Sequence, residues 1–340
     1  MSPSPRHIET REDLCRHLQW AIELELSTIP LYLTALFSIE EGKNREVQQL
    51  LRSVVMEEML HMCLAANLLH AVRGNGQGPK VTGTAAPSYP GVLRHSDGIE
   101  MRLRSFGPKA LKLFCSIEQP AAHEASSQPD HFDTIGQFYA AIAEGFESLG
   151  ADLFERGVNL GCQVEPHTAY YGGGGQTVVV TDLDTAMLAL AEIVAQGEGV
   201  DETVWDGDHL LFGERRELAH YYRFDEIVEG RQYRPGDRPH FPSGPPILVD
   251  TSAVRHIDPR LRERVESDEL DPEIVRLIEI CDGTYQEVLA SLEAGLNGDQ
   301  QRLIDAVPLM YQLEYQGRAL TKIPIGDGRH AGPLFRAVAT

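Results

Sequence analysis

Long apolar runs are missing from this chain: no stretch approaches the roughly 20 consecutive apolar residues that a membrane-spanning helix needs. Basic charge is scarce as well. Thirty Lys and Arg stand against 51 Asp and Glu, a formal charge of −21, and so negative a surface disfavours nucleic acid and anionic membrane as partners. The five cysteines are odd in number and scattered, with no Cys-x-x-Cys pair, which excludes a disulfide frame or a zinc knuckle and fits reduced thiols. Met1 to Asp13 is polar and lacks the apolar core of a secretory signal. The expectation is a soluble, cytoplasmic protein. The glycine run Gly172–Gly175 lacks the Lys-Ser/Thr ending of a phosphate-binding loop and reads, together with Tyr170 and Tyr171, as a hinge.

What is present is helical periodicity with polar residues in the wrong place. Val47, Leu51, Val54, Glu58, His61, Ala65, Leu68 and Val72 follow one another in alternating steps of four and three, so they share one helix face. A carboxylate and an imidazole therefore occupy two successive core positions, which is costly unless a partner compensates them. A metal ion holds both groups at once. The spacing returns in Glu217-Leu218-Ala219-His220, on a stripe of Leu210, Glu217, His220, Phe224 and Ile227. Of the 13 histidines, only His61 and His220 follow a glutamate by three residues. Two such motifs plus one glutamate from each of two further helices is the ligand pattern of a dimetal carboxylate bundle.

The two further glutamates come from the same phase argument. A first helix, capped at Thr10, carries Leu14, Leu18, Ile22, Glu25, Ile29, Tyr32 and Leu36 inward, with Pro30 inside it and Glu23 off the stripe and solvated. A short turn at Gly42–Asn44 makes the next helix its antiparallel neighbour. Residues 73–104 read as loop with a few short strands. A short helix from Pro108 ends on Glu118, and a helix from about Asp133 to Leu149 leaves Glu144 and Glu147 off its apolar face. A helix capped at Asp182 or Asp184 ends in Gln196-Gly197-Glu198-Gly199, where flanking glycines let the backbone open and turn Glu198 inward. Past Gly230 the chain is Pro-rich, then forms a helical hairpin from Asp271 onward with no liganding residues on its apolar faces. The expected organisation is a mainly α dimetal bundle with insertions over 10–230, and a Pro-rich wrap with the hairpin over 231–340. The expected metal ligands are Glu25, Glu58, His61, Glu198, Glu217 and His220, with Glu118 and Glu144 as alternatives to Glu198. Glu58 and Glu217 would bridge two ions. Oxygen donors with one imidazole per ion suit iron, with manganese as the alternative.

Several stretches together resemble the ferritin-like domain of the iminophenyl-pyruvate dimer synthase family of violacein, rebeccamycin and staurosporine biosynthesis. They are Ala21–Leu33, Glu57–Met62, Ile135–Tyr139, Gln196–Gly199 and Ala219–Phe224. The resemblance implies a ferritin-like four-helix bundle and oxidative chemistry on amino-acid-derived imines. Members that couple two such imines are much longer, and this chain is expected to carry the ferritin-like part with a helical extension. The leading functional expectation is an O₂-using dimetal oxidase or oxygenase acting on a small amino-acid-derived metabolite. Tyr32 would serve either as a redox-active catalytic group or as a plain hydrogen-bond donor beside the metals. A metal-binding partner protein without catalysis, and an iron store, are the alternatives; a homodimer is a further expectation.

Overall fold

The computed structural model describes residues 8–96, 98–122, 125–154, 158–166, 174–200 and 203–337. Much of the hinge read at Tyr170–Gly175, and Asp201 and Glu202 of the following acidic loop, lie outside them. Helices dominate. Helix α1 (Arg11–Ser38) starts where the Thr10 side chain accepts the Asp13 backbone N–H at 3.1 Å, and it runs through Pro30 without interruption. Helix α2 (Arg45–Val72) follows a turn in which Asn44 takes a left-handed conformation. Its Val47, Leu51, Val54, Ala65, Leu68 and Val72 are fully buried, as the periodicity requires.

The strands β1 (Gly91–Val92) and β2 (Glu100–Met101) pair antiparallel within the first loop. They are followed by α3 (Pro108–Ile117), α4 (Ile135–Leu149) and α5 (Leu183–Glu198). Reciprocal capping boxes, Thr134 with Gln137 and Asp182 with Thr185, fix the starts of α4 and α5. Helix α1 packs on α2, α2 on α5, α5 on α4 and α4 on α1, closing a four-helix ring. The short helices α6 (Asp208–Leu211) and α7 (His220–Glu229) follow, and α7 packs against α2, α3 and α5.

The Pro-rich segment runs beside the α1–α2 turn. Arg255 N–H donates to Ser38 O at 2.8 Å, and Asn44 and Asp250 exchange two hydrogen bonds. After α8 (Leu261–Glu266), the helices α9 (Pro272–Leu296) and α10 (Gln300–Thr321) form the expected hairpin. A small β3 (Pro324–Gly326) and β4 (Arg329–His330) hairpin follows α10. Helix α10 is tied to the bundle by Arg318, which donates to Ile39 O at 3.2 Å and to Gln48 at 3.0 Å.

Two expectations need correction. Glu23 is not solvated: it is 8% exposed and paired with Arg94, with Gln19 donating to it at 3.0 Å. Glu217 is not on a helix. Asp206 N–H donates to Glu217 O at 3.1 Å and Ala219 N–H to Val204 O at 3.1 Å, so residues 217–219 lie extended against 204–206 and α7 begins at His220. The three-residue spacing of Glu217 and His220 therefore has no helical meaning. Leu210, read as part of the same stripe, is 66% exposed.

Candidate metal centre

Helix phase turns Glu25 and Tyr32 of α1, and Glu58 and His61 of α2, into the middle of the bundle, where each is at most 3% exposed. Two short elements complete the cluster. Glu118 is the C-terminal cap of α3, and His220 is the first residue of α7; they are 5% and 0% exposed. The rings of His61 and His220 are stacked with centroids 5.2 Å apart. His61 Nδ1 lies 3.6 Å from Glu25 Oε2, and His220 Nδ1 lies 3.6 Å from Glu118 Oε2 and 3.1 Å from Glu58 Oε1. Glu58 thus stands between a Glu25–His61 pair and a Glu118–His220 pair. The phenol of Tyr139 donates to Glu25 and that of Tyr32 to Glu118, so each outer carboxylate has its own tyrosine.

Outer partners fix both imidazoles through their Nε2 atoms. His61 Nε2 is 2.9 Å from Gln196 Oε1, and Gln196 Nε2 donates to Asp208 Oδ2 at 3.0 Å. His220 Nε2 is 3.0 Å from Glu57 Oε2, and Glu57 accepts from Arg223 Nη1 at 2.8 Å. These contacts engage Nε2 of each ring and turn Nδ1 toward the cluster, the nitrogen that would bind a metal there. The two rings differ in their supports, a neutral amide for His61 and a carboxylate for His220. Burial opposes the charge on Glu57, yet Arg223 and His220 hold its carboxyl down at about 2.

The cluster is crowded with negative charge. Burial and the neighbouring Glu118 and Glu25 push Glu58 well above the usual carboxylate range. Burial works against a charge on His220, but hydrogen bonding to Glu118, Glu57 and Glu58 pushes it well above the ordinary histidine value. Among the described residues, Glu58, His61 and His220 each present a ligand atom within 4.8 Å of the others. Glu58 Oε2 and His220 Nδ1 are buried without a hydrogen-bond partner. Three carboxylates and two imidazoles converge here, with an orphaned buried atom on Glu58 and on His220, and such a donor set fits a cation.

Four of the six ligands expected from the sequence come together: Glu25, Glu58, His61 and His220. The other two lie elsewhere. The carboxylate of Glu198 accepts Gly136 N–H at 2.8 Å and Ala121 N–H at 3.0 Å, so it serves the N-terminus of α4. A Cβ at Gly136 would sit 2.1 Å from Glu198 Oε1, so any larger residue there displaces this carboxylate. Glu217 keeps a side chain 40% exposed and lies 3.6 Å from Arg223. Glu118, the alternative to Glu198, is the carboxylate that reaches the cluster; the other alternative, Glu144, is exposed and accepts from Ser127 at 2.6 Å. The phase argument missed Glu57, Gln196 and Arg223. A weak signal for them existed: Arg223 lies three residues after His220, and Glu57 adjoins Glu58 off the apolar stripe.

Behind Gln196 lies a second acidic group. Glu192, Asp206 and Asp208 are each 0% exposed, and Arg223 is the buried cation near them. Burial first, then the neighbouring Asp208, raises Glu192 to about 9, and burial with Asp208 raises Asp206 to about 7. Glu192 therefore keeps its proton at neutrality, whereas Asp208, raised by burial to about 6, is largely ionised there.

A model of the ferritin-like family matches residues 18–229. The chain is 26% identical over 256 residues to the 2-imino-3-(indol-3-yl)propanoate dimerase of Chromobacterium violaceum, covering 63% of this chain and 24% of that protein. It is also 26% identical over 270 residues to the dichlorochromopyrrolate synthase of Lentzea aerocolonigenes, covering 65% of this chain and 25% of that protein. The chain thus spans at most 25% of the length of these curated relatives. The crystal structure of a ferritin-like protein from Caulobacter vibrioides superposes with a TM-score of 0.64 at 22% identity, covering 98% of this chain and 100% of that one. That likeness, at such low identity, concerns the fold. Among the described residues no helix is long and apolar enough to cross a membrane. The family match covers the bundle and the whole buried cluster, and by it the chain belongs to the ferritin-like family.

Proposed function

We propose that this chain is an O₂-dependent dimetal oxidoreductase acting on a small amino-acid-derived imine. The observation that carries the reading is the convergence of Glu58, His61 and His220 within 4.8 Å, fully buried, with an orphaned polar atom on Glu58 and on His220. Glu25 and His61 would hold one ion, Glu118 and His220 the other, and Glu58 would be shared. Glu198 and Glu217 leave the ligand set because their carboxylates are engaged elsewhere. Bound iron, or manganese in its place, would supply the redox chemistry that reduces O₂.

The chain's own residues set the conditions for that chemistry. Glu57 and Gln196 fix the Nδ1 lone pairs of the two histidines. Tyr139 and Tyr32 donate to the outer carboxylates and hold them in place. Tyr32 is fully buried, and burial together with Glu118 raises its pKa well above the usual phenol value, so it keeps its proton. The reading assigns Tyr32 this positioning role, and its placement against Glu118 also puts it in reach of redox participation. The relatives' names, one a dimerase of an imino-indolyl-propanoate, support an aromatic amino-acid imine as the substrate class.

The test is metal analysis followed by O₂ uptake. After anaerobic ferrous loading the chain should retain about two ions. Glu118→Ala should lose one and Glu58→Ala both, whereas Glu198→Ala and Glu217→Ala should retain the full amount. The ferrous protein should then consume O₂ faster in the presence of imines generated from aromatic amino acids. Unchanged metal content in Glu58→Ala would remove the basis of the proposal.

A further inference from the structure

Gly197 lies in the last turn of α5, where glycine is less favourable than alanine. Its backbone does not require glycine: unlike Gly199, it is not in the left-handed region. Packing does not require it either. Among the described residues beyond the adjoining turn of its own helix, a Cβ at Gly197 would meet only Glu118 Oε2, at 3.9 Å, which is ordinary contact. What the missing side chain leaves is space. A recess of about 20 Å³ lies between the end of α5 and the start of α4. Ile135, Val194 and Gly197 on its wall are half-buried, whereas Tyr139, Ile193 and Glu118 are 1%, 3% and 5% exposed. The recess thus leads inward from the rim of the bundle to the candidate metal centre. Glu118 Oε2, the atom that Gly197 faces, lies 3.6 Å from His220 Nδ1.

Size and chemistry select the guest. The recess has room for one molecule about as large as water, far short of the roughly 300 Å³ or more that a site for an aromatic metabolite needs. Ile135, Ile193 and Val194 make its walls apolar. Of the polar side chains on it, the Tyr139 hydroxyl donates to Glu25, and Glu198 already accepts the N–H groups of Gly136 and Ala121. Water finds few partners in such a space, whereas an uncharged, apolar diatomic gives up no hydrogen bonds on leaving solvent.

We propose that this recess is the port by which dioxygen reaches the Glu118 side of the metal centre, and that the missing side chain of Gly197 keeps it open. The inference rests on the reading of the buried cluster as an O₂-using metal site and adds the route to it. The larger organic substrate does not pass this way.

The test uses nitric oxide, an uncharged diatomic of similar size, mixed anaerobically with the ferrous-loaded full-length chain and followed by stopped-flow absorbance. Gly197→Leu fills the recess and should slow association more than about tenfold while about two ions are retained. Val194→Phe narrows the same wall and serves where the leucine variant does not fold. Metal-free crystals of the wild type under krypton pressure should show one atom beside Ile135, Ile193 and Val194, and crystals of Gly197→Leu none. Gly197→Ala should raise the thermal midpoint of the metal-free chain, as expected where glycine is kept at a cost to the helix. A lowered midpoint would reveal a local need for glycine and overturn the argument. Failure to take up metal overturns the metal reading and the port with it. Retained metal with the wild-type association rate in a folded filled variant, or krypton absent from the wild-type recess, overturns the port alone.

Discussion

Arg223 offers the sharpest test of how the centre is held together. Its guanidinium is 2% exposed, it lies on α7 three residues after His220, and it meets the fully buried Glu57 at 2.8 Å. It also lies 3.8 Å from Asp206, itself buried. Arg223→Met keeps the bulk of the side chain and removes the charge, leaving Glu57 with only His220 opposite it. Breaking a buried pair on one side costs about 3–5 kcal/mol, because the remaining charge is left uncompensated. Glu57→Gln in the same background removes that stranded charge and should return a large part of the loss. Urea unfolding of the metal-free wild type, both single variants and the double variant closes a double-mutant cycle. A coupling of about 2 kcal/mol or more is expected for groups in direct contact. If Arg223→Met costs less than about 1 kcal/mol, or the two changes simply add, then Glu57 is not a charge held by Arg223, and the support assigned to His220 falls with it.

Glu192→Gln should change the pH dependence of stability. The folded chain raises this carboxyl to about 9, so the folded state binds more protons than the unfolded state between the ordinary glutamate range and that value, and stability falls as pH rises across this window. Glutamine removes that slope; an unaltered pH profile between pH 5 and 8 in urea titrations would contradict it. Gly136→Ala drives the Glu198 carboxylate off the Gly136 and Ala121 N–H groups and should destabilise the chain by about 1–3 kcal/mol with the metal content per folded chain retained, read by thermal unfolding and metal analysis. Thr134→Ala removes the cap of α4 and should cost about 1 kcal/mol in the same assay.

The sequence by itself determined the long helices and the inward phase of Glu25, Glu58 and His61. Apolar steps of three and four mark the core stripe, and every stripe residue of α1 and α2 is buried, although residues 21–32 and 64–72 are buried on all faces. It also singled out His220 as buried, although by way of a helix that starts only at that residue. Which carboxylates complete the cluster was decided by tertiary structure. Glu118 arrives as the cap just past a ten-residue helix, where periodicity has almost no length to act on. Glu198 sits at the end of α5 with glycines on both sides, and its direction follows from the unpaired N–H groups that α4 and Ala121 happen to present. Glu217 is drawn away by backbone pairing with residues 204–206, a long-range choice that no local spacing encodes. Periodicity reports the phase of a residue within a helix that already exists; it carries no information on where a helix stops or on which buried donor claims a carboxylate beyond its end.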